Sequence, residues 1–225
     1  MLDKMKKIFL FTIILTLLGH LSLAQKQIKT FTNSQEIDEK RYEGIKGSPF
    51  LFEDWKNANL VDKKDSIYDD VKLNFNGYES NFEVLNGDKF ISLDDTEFKS
   101  LSIQTEEGEY VFEKNLHKIF KNKLLLVVNK GATITCFMDY SVGLTENTIN
   151  GNMGATTIIK RFKYDPKHYF IINGELQSMR LTKNKLISIL GNKKAINSFI
   201  KINKLKLTEP LDVAKILKYY EAELL

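Results

Sequence analysis

The chain has 225 residues, of which 43% are hydrophobic and 28% are charged, with a single cysteine and a formal net charge of +4. A mature chain of this size can bury one good core, with or without a small appendage. A single cysteine excludes an intramolecular disulfide framework, so the fold must be stabilised by packing.

The two halves of the chain carry opposite charges. Residues 33–113 have a net charge of −11, residues 114–225 have +11, and residues 182–207 contain seven lysines and no acid. Such asymmetry marks either two surfaces that meet different partners, or two halves that pack together or solvate their own surfaces. The second interpretation is favoured, because long charged faces are usually only solvated.

The first 24 residues have the pattern of a secretory signal peptide. Three lysines precede an uncharged apolar run over residues 8–18, and Ser22 and Ala24 are the small residues expected before a cleavage site. The apolar run is about half as long as a membrane-spanning helix, which disfavours a retained anchor. We therefore expect cleavage after Ala24 and a periplasmic or secreted protein that is not integral to the membrane.

Residues 25–46 are predicted to be a polar leader, in which the acidic stretch 36–43 is either a short helix or irregular. Residues 50–55 then bring together two phenylalanines, a leucine and the single tryptophan. This cluster is either a stacking platform for a ligand or a plug that covers one end of a sheet. The plug is favoured, because large aromatic side chains dominate protein cores.

Residues 47–181 are predicted to form an antiparallel β domain. Alternating apolar residues such as Val71, Leu73 and Phe75 place one set of side chains on a buried face. Asn-Gly pairs at residues 76, 86 and 173 predict turns between strands, because a type I′ turn needs positive φ at both central residues. Turn signals recur at about the 8–12-residue spacing of an antiparallel β-meander, sandwich or partly open barrel. The predicted strands cover residues 60–61, 67–75, 81–85, 90–93, 98–104, 110–112, 124–128, 132–140, 157–164, 169–172 and 176–181.

Residues 141–156 are predicted to be a long loop. They contain three glycines and three asparagines with almost no apolar pattern. A loop of this length is usually functional or disordered, and disorder is the favoured interpretation.

Residues 182–225 are predicted to form a short three-helix tail. Thr182 caps the first helix, which stops at Gly191, Asn192 caps the second, and Glu209-Pro210 begins the third. Three short amphipathic helices cannot bury their apolar stripes alone, so the tail is expected to pack on the open end or edge of the sheet. The overall prediction is a mainly β protein of the α+β kind.

Three stretches of the mature chain resemble known sequences. Gly47-Ser48-Pro49-Phe50-Leu51 with Trp55 downstream, residues 67–75, and the lysine-rich tail 184–205 followed by Tyr219-Tyr220 are similar to uncharacterised secreted proteins of Bacteroidota. The resemblance covers most of the mature chain and implies an exported β-rich protein with a helical tail. It implies no activity, so no functional residue transfers from it.

The sequence shows no catalytic or metal-binding motif. His117 and His168 lack a second His or Cys at ligand spacing, and neither a GxSxG elbow nor a Walker loop is present. Four aspartates between residues 62 and 70 lack the glycine and terminal glutamate of a calcium loop and are interpreted as a solvated turn. We therefore predict no catalytic residue, no metal site and no cofactor, and the sequence assigns no ligand-binding residue.

Two further features have a functional and a structural interpretation. Cys136 lies in a strand-like pattern and is interpreted as a buried core residue, since a reactive thiol needs a basic, partly exposed setting. The basic and aromatic stretch 160–164 is able to bind an anionic ligand or single-stranded nucleic acid. A strand with Phe162 and Tyr164 inward and the cations outward is favoured, and nucleic acid is not the expected partner of an exported protein.

These observations favour an exported envelope protein that acts as a non-enzymatic binding or structural module. Its expected partner is an anionic envelope component or another envelope protein, attracted by the lysines of residues 182–207 through a salt-screened field. Partial neutralisation of these lysines by the acidic half is also expected. The alternative is a hydrolase whose catalytic carboxylates do not form a visible motif.

Overall fold

The computed structural model describes residues 36–150 and 156–224. The described residues form twelve β-strands, all paired in antiparallel fashion, and three α-helices, the last of them near the C-terminus. The predicted fold class, mainly β with a C-terminal three-helix tail, is confirmed. The predicted signal peptide, residues 1–24, and residues 25–35 of the leader lie outside the described residues.

Ten strands form one sheet and two form a separate ribbon. The strands are β1 (Lys56–Asp62), β2 (Ile67–Asn76), β3 (Asn81–Asn86), β4 (Lys89–Ser92), β5 (Phe98–Gln104), β6 (Glu109–Glu113), β7 (Leu125–Lys130), β8 (Ile134–Asp139), β9 (Val142–Asn150), β10 (Thr156–Tyr164), β11 (Lys167–Ile172) and β12 (Glu175–Met179). The large sheet has the order β12-β11-β8-β7-β6-β5-β1-β2-β3-β4, and β9 pairs with β10. The helices are α1 (Lys183–Leu190), α2 (Lys193–Ile202) and α3 (Pro210–Glu223).

The large sheet curls so strongly that distant strands share one core. β3 and β6 are four positions apart in the sheet, a separation of about 19 Å if the sheet were flat. The ring centroids of Phe82 on β3 and Phe112 on β6 are nevertheless only 4.9 Å apart. Register shifts in β1 and β7 mark bulges, which bend strands and increase their twist. Because β4 and β12 are edge strands, the sheet is open and not a closed barrel.

The N-terminal part of the described chain covers the sheet beside β2 and β4, as the plug interpretation expects. The Leu51 N–H donates to the Phe75 carbonyl at 2.9 Å, and Leu51 and Phe52 pack against the main core. The Trp55 ring lies 5.1 Å from that of Phe90 on β4. Within the predicted leader, Glu39–Tyr42 form a short 3-10 helix.

The ribbon of β9 and β10 corrects the loop prediction. Residues 142–150 form a strand that pairs over nine residues with β10, while residues 151–155 lie outside the described residues. The strand was missed because its outer part exposes both faces, which removes the alternation on which a strand prediction depends. At the base of the ribbon, the buried Phe162 packs edge-on against Tyr42 at 5.1 Å.

The helix starts are only partly as predicted. Thr182 Oγ1 accepts a hydrogen bond from the Lys185 N–H at 3.3 Å, and α1 ends at Gly191 with a φ of +68°. Asn192 is the N-cap residue of α2, as predicted, but its side chain makes no capping hydrogen bond. With φ 41° and ψ 44°, Asn192 is left-handed, whereas a capping residue is usually extended. The two-residue connection between α1 and α2 requires positive φ at both of its positions.

The third helix packs on the sheet at β7, as expected for the tail. Its stripe of Val213, Ile216 and Leu217 is buried. None of the helices formed by residues 36–150 and 156–224 is long and apolar enough to cross a membrane.

A charged contact also joins α3 to the β7–β8 turn. The Glu221 carboxylate accepts hydrogen bonds from the backbone N–H groups of Thr133 and Ile134, both at 2.9 Å. A Cβ added at Gly131 would lie 1.7 Å from Glu221 Oε2, so the close approach of the carboxylate requires a glycine. Helix and sheet are therefore connected by directional hydrogen bonds as well as by apolar packing.

We expect Glu221→Ala to lower the free energy of unfolding by about 2 kcal/mol, the range for hydrogen bonds to a charged acceptor. Urea unfolding followed by circular dichroism measures the change. Glu223→Ala, an exposed position on the same helix, is the control and should change stability by less than about 0.5 kcal/mol. Equal effects of the two substitutions would contradict a specific link between α3 and the turn.

Candidate functional site

The most strongly charged surface belongs to the helical tail. We call it the basic helical surface, and it consists of Lys183, Lys185, Lys193, Lys194, Lys201, Lys204 and Lys206. All seven side chains are exposed, and none forms an ion pair with a carboxylate among residues 36–150 and 156–224. Direct pairing with the acidic half therefore does not neutralise these lysines, in contrast to the expectation from the sequence.

The acids of residues 36–113 have other partners. They take part in seven ion pairs among the described residues, and five of these pairs are formed within the same half. The other two join Asp95 to Lys114 and Glu113 to Lys130, neither of which belongs to the basic helical surface. Among the described residues, the acids of residues 36–113 thus form two ion pairs with the other half of the chain, and the tail lysines face solvent.

Four of the seven lysines occupy helix positions where a cation is unfavourable, whereas Lys201 lies in the last turn of α2, where a cation is favourable. Lys183 and Lys185 lie in the first turn of α1, Lys193 and Lys194 lie in the first turn of α2, and neither turn contains an acid. The N-terminus of a helix carries partial positive charge, so an exposed cation there costs about 0.3–1 kcal/mol. Helix stability does not explain why lysine occupies these four positions.

The face of α2 that carries charge is separate from the face that packs. Ile196 and Ile200 are buried, whereas Lys194 and Lys201 follow the i, i+7 spacing along the opposite side of the helix. Ile202, beside Lys201, is 76% exposed and is one of five exposed isoleucines among the described residues, as is normal for a protein surface. The basic helical surface therefore also offers an apolar contact point.

A second candidate site is a cavity of about 230 Å³ where the start of α3 meets the sheet. We call it the tyrosine pocket, and its lining consists of Leu51, Tyr110, Tyr140, Tyr164, Thr208, Glu209 and Pro210. The rings of Tyr140 and Tyr164 are 5.0 Å apart. Sequence reasoning missed this pocket, because its three tyrosines come from β6, from the end of β8 and from the end of β10 and form no local pattern.

Burial and negative charge act together on the tyrosine pocket. Burial first, and then the charge of Glu209, raise the pKa of Tyr140 to about 12. The pKa values of Tyr110 and Tyr164 are raised in the same way, by burial first and then by neighbouring groups that include Glu209. All three phenols are therefore neutral at physiological pH, and the charge of the same carboxylate, Glu209, raises the pKa of each.

A larger groove of about 430 Å³ adjoins the tyrosine pocket and shares Tyr110 and Pro210 with it. Its charged lining residues are Glu107, Glu109, Lys130, Lys215 and Lys218. A hydrogen bond from its own backbone N–H and one from Thr105 lower the pKa of Glu107. A general acid in glycoside hydrolysis needs a raised pKa, so Glu107 is poorly suited to that role.

The most deeply buried carboxylate serves a structural network. Glu83 is 1% exposed, forms an ion pair with Arg41 and accepts a hydrogen bond from Asn76 Nδ2 at 2.7 Å. Asn76 Nδ2 also donates to the Tyr42 hydroxyl at 2.8 Å, and Tyr42 donates to Glu79 at 2.5 Å. This network attaches the 3-10 helix Glu39–Tyr42 to β2 and β3.

Breaking the Arg41–Glu83 pair should be costly, because a buried charge would lose its partner. We expect Arg41→Gln to destabilise the protein by about 3 kcal/mol, and Arg41→Gln combined with Glu83→Gln to recover most of that loss. Lys89→Gln, which removes the exposed pair with Glu36, is the control and should cost less than about 1 kcal/mol. Chemical denaturation of the natural protein, of Arg41→Gln, of Glu83→Gln and of the double variant gives the coupling energy, and strictly additive effects would contradict the network.

Neither histidine of the described residues, His117 or His168, belongs to a candidate metal site. No group of three or more His, Cys, Asp or Glu residues suited to a metal ion occurs in the described part of the chain. His117 accepts a long hydrogen bond from the Ile119 N–H at 3.4 Å. His168 is 2% exposed on β11, its Nδ1 has no partner among the described residues, and burial lowers its pKa to about 4.

His168 should make the protein sensitive to mild acid. Its pKa is lower in the folded chain than the ordinary value of 6.5, so protonation favours unfolding and stability is lost as pH falls from about 6.5 towards about 4. Between pH 7 and pH 5 the expected loss is about 2 kcal/mol. Urea midpoints measured across this range should fall for the natural protein and stay nearly level for His168→Leu. A parallel fall in both proteins would contradict the assignment to His168.

Two smaller predictions are confirmed, and a third is confirmed in part. The turn predicted for the aspartates of residues 62–70 is present at Asp62, which accepts hydrogen bonds from the N–H groups of Lys64 and Ser66 at 2.8 Å. Asp69 and Asp70 instead lie in β2. Cys136 is fully buried, and burial raises the pKa of its thiol. On β10, Phe162 is buried, Tyr164 is half-buried and the basic side chains are exposed.

The chain matches no protein-family model, no curated protein and no solved structure with which it was compared. Its function must therefore be argued from the basic helical surface and from the cavities beside α3.

Proposed function

We propose that this protein is a non-enzymatic binding module of the bacterial envelope that is exported like the secreted Bacteroidota proteins it resembles. In this proposal the basic helical surface contacts an anionic envelope component. The observation that supports it best is the set of seven exposed lysines without ion-pair partners among the described residues. Four of them lie in first helical turns, where a cation is unfavourable.

The chemistry of this surface suits a phosphate-bearing partner such as the head groups of envelope lipids. Each lysine ammonium acts as a compact point charge that attracts phosphate without a fixed geometry. The exposed Ile202 beside Lys201 adds an apolar contact of the kind that membrane surfaces accept. The interaction should weaken strongly with salt, because exposed charges are screened over about 8 Å at physiological ionic strength.

A hydrolase is the second candidate, and one observation favours it. Glu107 and Glu109 both line the larger groove beside α3. The lowered pKa of Glu107 argues against it as the proton donor, however, and Glu109 accepts a hydrogen bond from Gln104 Nε2 at 2.8 Å. The binding function is therefore the better supported of the two.

The test removes four charges from the basic helical surface. The variant carries Lys193→Gln, Lys194→Gln, Lys201→Gln and Lys204→Gln. Its matched control carries Lys72→Gln, Lys118→Gln, Lys121→Gln and Lys167→Gln, four exposed lysines elsewhere that also form no ion pair within the described chain. Both proteins have the same net charge, so any difference between them reports the arrangement of the lysines.

We expect the tail variant to bind less to phosphatidylglycerol vesicles at low salt than the control does, and both to bind little at high salt or to phosphatidylcholine alone. The melting temperature of the tail variant should stay nearly the same, because two unfavourable charges leave the first turn of α2 and one favourable charge, that of Lys201, leaves its last turn. Equal vesicle binding by the two variants would contradict the proposal. A lower melting temperature with unchanged binding would show that the lysines stabilise the fold.

A further inference from the structure

The tyrosine pocket offers a site that is independent of the basic helical surface. We propose that it binds a protonated alkylamine, whose ammonium group is held by the Glu209 carboxylate and by the phenol oxygens of Tyr140 and Tyr164. Some hydrogen-bonding groups of the pocket already have partners within the protein, and the others are left for a ligand.

The pocket presents acceptors more than donors. The Tyr140 hydroxyl donates to the Phe50 carbonyl at 3.1 Å, and the Tyr164 hydroxyl has the Thr208 carbonyl at 3.5 Å and Met138 Sδ at 3.6 Å as its acceptors. Each phenol has one hydrogen to donate, so both oxygens are left with lone pairs that can only accept. A ligand that binds between them must therefore bring its own donors.

Glu209 is available to such a ligand. It precedes α3 but makes no side-chain capping hydrogen bond, and it forms no ion pair with the described residues. Within the described residues, the Glu209 side chain accepts one hydrogen bond, from the Thr208 hydroxyl at 3.4 Å. The pocket lining contains this carboxylate and no lysine or arginine, so its net charge is negative. An anionic ligand would be repelled, and a cation would be attracted.

The start of α3 offsets this preference only weakly, because Leu211 has the one N–H among residues 210–213 without a hydrogen-bond partner in the described part of the chain. Pro210 has no N–H, and the N–H groups of Asp212 and Val213 both donate to the Glu209 carbonyl at 3.1 Å. The Asp212 carboxylate lies in the same turn but is already paired with Lys215 at 3.0 Å, so the unpaired negative charge at this helix start is that of Glu209. The usual anion preference of a helix N-terminus is therefore weakened at this helix.

The remaining walls suit the alkyl part of the ligand. Leu51 and Pro210 are apolar, and the rings of Tyr140 and Tyr164 offer aromatic surface. A cation near aromatic rings gains further attraction from their quadrupoles. A primary ammonium with three N–H donors fits the acceptors better than a quaternary ammonium, which has none.

The experiment titrates the purified protein with n-butylammonium, tetramethylammonium and 1-butanol, and follows the ligand by saturation-transfer NMR and the heat by calorimetry. We expect butylammonium to bind at least about tenfold more tightly than either of the others, since one charged hydrogen bond is worth about that factor. Equal binding of butylammonium and butanol, or no binding of butylammonium, would overturn the proposal. Tighter binding of tetramethylammonium would overturn the role of the acceptors.

Two substitutions locate the site. Glu209→Gln should weaken butylammonium binding by about tenfold or more, and Tyr164→Phe should weaken it severalfold by removing one acceptor. Glu175→Gln, an exposed carboxylate on the distant edge strand β12, is the matched control and should leave binding unchanged. Melting curves of all three variants separate loss of the site from loss of the fold. Equal effects of Glu209→Gln and Glu175→Gln, with melting unchanged, would place the binding elsewhere and overturn the assignment.

The alkylammonium group has two possible sources, a free amine or the lysine side chain of another protein. A Gly-Gly-Lys-Gly-Gly peptide with blocked ends, compared with the same peptide carrying acetyl-lysine, distinguishes them. Tighter binding of the lysine peptide than of butylammonium supports a partner's lysine, and the reverse order supports a free amine. Binding of the acetyl-lysine peptide as tight as that of the lysine peptide would overturn the proposal, because acetylation removes the charge.

Discussion

The rest of the structure depends on covering the apolar face of a strongly curled sheet. Ten antiparallel strands place their inward side chains in one core, which continues from Ile91 on β4 to Phe170 on β11 and into the helices. The open sheet cannot bury this face alone, and each large side chain left in water would cost about 1.5–3 kcal/mol. The N-terminal segment covers part of it, and α3 covers the region at β7, with α2 packed on α3 and α1 packed on α2.

This arrangement also determines which groups are free to act. The helices point their apolar stripes into the core, so the lysines of α1 and α2 necessarily face outward. Where the start of α3 meets the ends of strands from different parts of the chain, three tyrosines and Glu209 surround a cavity. The same packing of helices and sheet thus produces both the basic helical surface and the tyrosine pocket. The two sites have opposite charges, and so do their proposed ligands.

Local patterns predicted the elements whose signals are local. Asn173 and Gly174 both have positive φ and close the β11–β12 hairpin, as the Asn-Gly pair indicated. Thr182, Gly191 and Pro210 marked helix ends because capping and ring constraints act over a few residues.

The local pattern failed for β9, which is stabilised by pairing with β10 and has little buried surface of its own. It also failed to predict that the Asn192 side chain makes no capping hydrogen bond, because the short α1–α2 connection determined the conformation of this residue. The tyrosine pocket could not be predicted from the sequence, since only the curl of the sheet brings Tyr110, Tyr140 and Tyr164 together.

The central claim is that sheet and helices form one cooperative unit. Native-state hydrogen exchange at increasing urea tests it most directly, because it gives an opening free energy for each amide. If sheet and helices form one unit, the amides of Ile216 and Leu217 in α3 should open with the same free energy as those of Leu126 in β7 and Met138 in β8. Opening of α3 at a much lower free energy, with the sheet amides still protected, would show that the tail is a separate appendage and would contradict the account.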